Sequence, residues 1–138
     1  MTAPNGNLRH DAFWRAKALE KDGNYTQAAA LYRELAGEDY APAQTTLGTL
    51  YKRGLGVPQN PNQAVQWFRK AAEQGFSSGQ IELAEAYRLG QGVKKDVGQA
   101  AKWYRKAGEQ GDRYAKYSMA LLCKQGRCGA NDAAQAAV

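Results

Sequence analysis

The sequence predicts an all-α protein, a right-handed α-solenoid of about three and a half stacked antiparallel helical hairpins. Three observations predict it. Two blocks of sequence return after the same interval, apolar residues within each unit fall at helical spacing, and glycines and prolines stand where helices must stop and restart.

The interval is 36 residues. Tyr51-Lys52-Arg53-Gly54-Leu55-Gly56-Val57 returns as Tyr87-Arg88-Leu89-Gly90-Gln91-Gly92-Val93. Trp67-Phe68-Arg69-Lys70-Ala71-Ala72-Glu73-Gln74-Gly75 returns as Trp103-Tyr104-Arg105-Lys106-Ala107-Gly108-Glu109-Gln110-Gly111. Gln27-Ala28, Gln63-Ala64 and Gln99-Ala100 keep the same spacing, and no gap is needed anywhere.

Residues 1–10 are expected to form a flexible segment. In residues 11–40, Ala12, Ala16 and Leu19 share one helical face, and Asp22-Gly23-Asn24 turns the chain into a second helix from Tyr25 to Ala36. Here the glycine loop is missing, and the first helix is expected to run about four residues further than in the later units. From residue 41 the pattern regularises. Ala43, Leu47, Leu50 and Tyr51 line one face, and Gly48 on that face permits close approach of a neighbouring helix.

Gly54 and Gly56 stop this helix by supplying backbone angles closed to other residues. Pro58 and Pro61 then hold the chain out of helix until about Asn62. Ala64, Trp67, Phe68, Ala71 and Ala72 give the second helix an apolar stripe to about Gln74. The same reading gives helices near Gly79 to Leu89, Val97 to Gln110 and Ala115 to Gln125. Asp132 to Val138 only begins a further helix, so residues 41–138 end in an incomplete hairpin. No hairpin can hide its apolar face alone, so the units must stack.

Composition agrees with a folded chain: 138 residues suffice for one domain, and 43% of them are hydrophobic. The longest stretch without charge, Tyr40 to Tyr51, is too short to cross a bilayer, so no membrane insertion is expected. The N-terminus has neither a basic start nor an apolar run, so it does not read as a signal peptide. The net charge of +6 raises nucleic acid as a partner. The basic residues are spread from Arg9 to Arg127 and interleaved with acids, which reads as solvated helix faces rather than a phosphate-binding patch.

These residues resemble the Sel-like repeat family, a branch of the tetratricopeptide superfamily. Ala43, Leu47-Gly48, Leu50-Tyr51, Gly54-x-Gly56-Val57, Ala64, Trp67-Phe68, Ala71-Ala72 and Gly75 fill its pattern once. Ala84, Ala86-Tyr87, Gly90-x-Gly92-Val93, Ala100, Trp103-Tyr104, Ala107 and Gly111 fill it again less fully. Residues 11–40 look more like a plain tetratricopeptide hairpin. In the last unit Cys123 stands where tyrosine was, and Cys128 replaces the second loop glycine. The resemblance implies a bacterial adaptor that grips a partner protein or peptide on a concave face, with no catalysis and no cofactor.

In such a scaffold the first helix of each pair lines the concave wall. Its positions between the packing residues are Thr45, Thr49, Lys52 and Arg53, then Ile81, Glu85, Arg88 and Leu89. In the last unit they are Tyr117, Leu121, Lys124 and Gln125, with Tyr114 at the edge. They vary between repeats while the packing positions recur. Their mixture of cations, tyrosines and aliphatics suits anchoring a side chain and pairing a carboxylate.

Cys123 and Cys128 are either bridged, which a turn at Gly126 would allow, or a buried thiol beside an incidental loop cysteine. A bridge would point to the periplasm or secretion, as in disulfide-stapled members of the family, and its absence to the cytoplasm.

Other signals point to structure rather than chemistry. Gly54-Leu55-Gly56 and Gly90-Gln91-Gly92 join two helices, unlike a phosphate loop after a strand. His10 has no companion ligands, so no metal site is expected. Glu82 and Glu85 read as a polar helix face rather than an acid–base pair. Trp67 and Trp103 hold equivalent positions and should both be buried, and Trp14 reads as a core or cap residue. A repeat that reads RNA needs matching side chains in each unit, and 45, 81 and 117 hold Thr, Ile and Tyr. Two readings stay beside the adaptor: a cap or spacer of a larger envelope or secretion protein, and dimerisation through apolar surface at the last hairpin.

Overall fold

The computed structural model describes residues 5–127. Seven α-helices follow one another among the described residues: α1 (Asn5–Lys21), α2 (Tyr25–Gly37), α3 (Ala41–Arg53), α4 (Pro61–Glu73), α5 (Ser77–Leu89), α6 (Val97–Glu109) and α7 (Arg113–Lys124). Each packs on its neighbours in sequence, and α5 also touches α3, so the hairpins stack into an all-α solenoid. Among the described residues no helix is long and apolar enough to cross a membrane.

The helix limits fall close to those expected from the sequence, with one difference. Helix α1 begins at Asn5, so residues 5–10, expected to be part of a flexible segment, are helical; its 17 residues against 13 in α3 and α5 match the longer first helix that was expected. The incomplete helix expected over Asp132 to Val138 lies outside the described residues.

The core forms two neighbouring apolar clusters joined at Tyr51. The first gathers Ala28, Tyr32, Ala43, Leu47 and Leu50; the second gathers Phe68, Leu83, Ala84, Ala100, Tyr104 and Ala107. Alanine dominates both because helices that cross closely leave no room for larger side chains. A Cβ on Gly48 would press into the Phe68 ring.

The loops repeat as closely as the helices. Gly54 and Gly90 cap α3 and α5 in the left-handed conformation, with φ of 71° and 70°. The chain then re-enters helix at Asn60 and Asp96, whose side chains accept from the Gln63 and Gln99 amides at 3.1 Å. Between them, Gly56 lies against the Tyr25 carbonyl and Gly92 against the Pro61 carbonyl, so close that any side chain would collide. Each loop therefore docks on the start of the second helix one hairpin back.

Two tryptophans in equivalent positions differ. Trp103 is buried, whereas Trp67 is only partly buried, which corrects the expectation that both would be. Both indole nitrogens are shielded from solvent without a hydrogen-bond partner. Lys70 stands over the Trp67 ring and Lys106 over the Trp103 ring, so the lysine stems shelter the indoles. Trp14, expected in a core or cap, is 55% exposed and donates to His10 Nε2 at 2.9 Å.

Candidate partner-binding face

The first helices α3, α5 and α7 bring many of the expected positions to one side of the stack. Between them opens a cleft of about 260 Å³. Lys52 from α3, Ile81, Glu85 and Leu89 from α5, and Tyr114 from α7 stand around it, over a floor of Ala64, Val65 and Phe68 from α4. Leu89 and Tyr114 are about half exposed, at 49% and 51%.

The polar groups of this cleft are held rather than loose. Lys52 Nζ lies 3.2 Å from Glu82 Oε1, a bridge between successive repeats. Glu85 gathers three donors. Arg88 Nη2 lies 2.5 Å from its Oε1, and the hydroxyls of Tyr104 and Tyr114 both donate to its Oε2, Tyr114 at 2.7 Å. Burial on its own would push the Glu85 carboxyl up. The hydrogen bonds from Tyr104, Arg88 and Tyr114, with the Arg88 charge, outweigh it and hold the group below the usual carboxylate value.

Burial and the bond to Glu85 push the Tyr104 phenol well above its ordinary range. The Glu85 bond, then burial, raises Tyr114. Each of the two carboxylates on α5 thus has its own cation. Tyr114 of α7, at the rim of the cleft, is thus tied to a carboxylate on α5, while α7 itself packs on α6.

The remaining expected residues separate into two groups. Thr45 is buried and its Oγ1 bonds back to the Ala41 carbonyl at 3.1 Å, while half-buried Thr49 does the same to Thr45 at 3.2 Å. Helix back-bonding therefore withdraws both hydroxyls from the face on which they were expected. Arg53 is exposed at the end of α3 and is not among the residues that line the cleft. On α7, Tyr117 is 66% and Leu121 41% exposed, and Lys124 is exposed beside them.

Cys123 is buried and disulfide-bonded. Cys128, its expected partner, lies outside the described residues.

Sequence reasoning missed three contributors. Tyr104 stands at the repeat position of Phe68 and its ring lies in the core, but its hydroxyl donates to Glu85 at the cleft. Gln44 and Gln80 are fully or almost fully buried. Their amides donate to the Ala36 and Ala72 carbonyls in the last turn of the preceding helix, at 3.1 and 3.3 Å. In turn they accept from Gln74 and Gln110, at 2.8 and 3.0 Å. The signal was present, since Gln44 and Gln80 stand 36 residues apart, as do Gln74 and Gln110.

The Sel1 repeat model matches residues 41–76 and 77–112. No curated protein matches the sequence. Among solved structures, a Sel1 repeat protein from Oxalobacter formigenes is 38% identical with a TM-score of 0.79, over 83% of this chain and 47% of its own. The protective antigen c5321, present in uropathogenic Escherichia coli strains and displaying an SLR fold, is 32% identical with a TM-score of 0.81. That match covers 90% of this chain and 27% of the antigen. Helicobacter pylori cysteine rich protein B is 25% identical with a TM-score of 0.62, over 64% of this chain and 67% of its own. The chain thus spans about half of the first of these proteins and about a quarter of the second. With two matched repeats, helix boundaries in register and a shared solenoid, the chain belongs to the Sel1 repeat family, whose members generally serve as scaffolds for protein–protein interaction.

Proposed function

We propose that this chain is a non-catalytic scaffold that holds a partner protein or peptide on the face formed by α3, α5 and α7. The observation that carries the reading is the cleft itself. Residues that vary between repeats converge there, an apolar floor lies within reach, and the large rim side chains Leu89 and Tyr114 stand half exposed above polar groups fixed in advance. Preorganised side chains lose little freedom when a partner docks, which favours binding.

The test is capture by the immobilised chain from the cells that make it, compared with Leu89→Asp. That substitution adds a charge at the rim without touching the core. A partner bound by the parent should lose roughly tenfold or more in affinity to the variant, with the melting temperature unchanged. Equal capture by both proteins would refute the cleft, and capture of nothing specific would refute the scaffold reading for this chain.

A further inference from the structure

The charge of this protein is not evenly interleaved. Residues 5–88 hold ten lysines and arginines against nine acids, so they are nearly neutral. Residues 89–127 hold nine against three. Two of those three acids are committed to capping: Asp96 accepts from the Gln99 amide and Asp112 from the Ala115 amide. The four ion pairs among the described residues, Arg9–Glu38, Lys17–Glu20, Lys52–Glu82 and Arg88–Glu85, all lie before residue 89. The reading of solvated, alternating charge therefore holds only for the first part of the chain. The excess sits on α6, α7 and the loop before α6.

On α7 this excess meets exposed apolar surface. Arg113, Tyr117, Leu121 and Lys124 follow at intervals of four, four and three residues, which places them on one stripe of the helix. All four are exposed, Tyr117 at 66% and Leu121 at 41%. The stripe is about 16 Å long, with a cation at each end and an aromatic and an aliphatic side chain between. It adjoins Tyr114, which is held by Glu85 at the cleft.

We infer that this stripe of α7 takes an acidic protein segment that carries apolar side chains between its carboxylates. The inference rests on the scaffold reading and names the chemistry of the partner. Charge complementarity supplies the argument: cations without acidic partners among the described residues flank the apolar pair, so a segment of matching pattern would neutralise them while covering Tyr117 and Leu121. Leu121 favours a protein over a nucleic acid here. A nucleic-acid strand would make use of the tyrosine as a stacking surface but would leave the leucine without a counterpart.

The experiment measures binding of the full chain to a short synthetic peptide in which glutamates flank a leucine–phenylalanine pair. Its lysine counterpart and a single-stranded RNA of similar length serve as alternatives. The acidic peptide should bind roughly tenfold or more tightly than the lysine peptide, and should weaken as salt is raised. The double substitution Arg113→Glu and Lys124→Glu should abolish that preference, and Tyr117→Ala with Leu121→Ala should weaken binding at every salt concentration. All these side chains are exposed, so unchanged melting of the variants separates lost binding from lost folding.

Equal binding of the two peptides, or a preference untouched by the charge reversal, would overturn the inference. Tighter binding of RNA than of the acidic peptide would overturn it too. A cellular partner lost on Leu89→Asp, combined with no preference for the acidic peptide, would sink this inference alone and leave the scaffold standing.

Discussion

Helices α5 and α7 occupy the same place in successive repeats, yet they use that place differently. Leu83 and Ala84 of α5 are wholly buried; their counterparts on α7 are the half-buried Met119 and the exposed Ala120. Gln80 is buried and bonded on both sides, whereas Lys116 is exposed. Tyr87 accepts from Arg69 at 2.9 Å, as Tyr51 accepts from Arg33 at 3.1 Å one repeat earlier, and the third position of that series is Cys123. Likewise, half-buried Ile81 and Glu85 give way to exposed Tyr117 and Leu121. The fold is periodic, but burial follows the neighbours each helix has. Helix α5 is enclosed by α4 and α6, while α7 is the last described helix.

The comparison can be broken most forcefully in the core. Leu83→Ala should cost about 3 kcal/mol, because α4 and α6 close the site on both sides and leave a cavity. Met119→Ala, at the equivalent position of α7, should cost about 1 kcal/mol. Urea unfolding of both variants measures the difference, and equal costs would show α7 to be as enclosed as α5.

The buried glutamine offers a sharper and smaller test. Gln80→Ala removes one bond from the Ala72 carbonyl and one from the Gln110 amide, which keep the Gly75 N–H and the Gly75 carbonyl as partners, and should cost about 1 kcal/mol. The reverse change, Lys116→Gln, would place an amide where the Gly108 carbonyl can accept it, and should leave stability unchanged or raise it by up to about 1 kcal/mol. A loss on Lys116→Gln would show that the glutamine clamp does not transfer along the stack.

The smallest effect concerns acid. The folded Glu85 carboxyl is held below its ordinary value of 4.5, so its contribution to stability is present above that value and is lost as pH falls through the lower folded value. Glu85→Gln should therefore lower the melting temperature near neutrality and flatten its decline in the acidic range. Parallel melting curves for the two proteins across that range would exclude the network around Glu85 as the source.

How much of this was legible follows from the nature of each signal. The 36-residue interval, the glycine loops and the helix limits were readable because they depend on local chemistry repeated at fixed spacing. The start of α1 at Asn5 was not, since residues before Ala12 lack the apolar stripe that marks the later helices. Thr45 looked like a surface residue because threonine usually is one, and its burial follows from where α3 lies in the stack. Gln44 and Gln80 recurred in plain sight, but a polar residue is read as solvated until its buried partners are seen. The bond from Tyr104 to Glu85 spans 19 residues and two helices, and no spacing rule aims a hydroxyl across that distance.

The docking of each glycine loop on the hairpin before it has a consequence for how such proteins change in length. Gly56 meets Tyr25 and Gly92 meets Pro61, so each loop seats on the unit immediately behind it. A whole unit added or removed between them would present the same joint to the same kind of neighbour. The scaffold can thus be lengthened by duplication without repacking what is already built, and its outward side chains are then free to diverge.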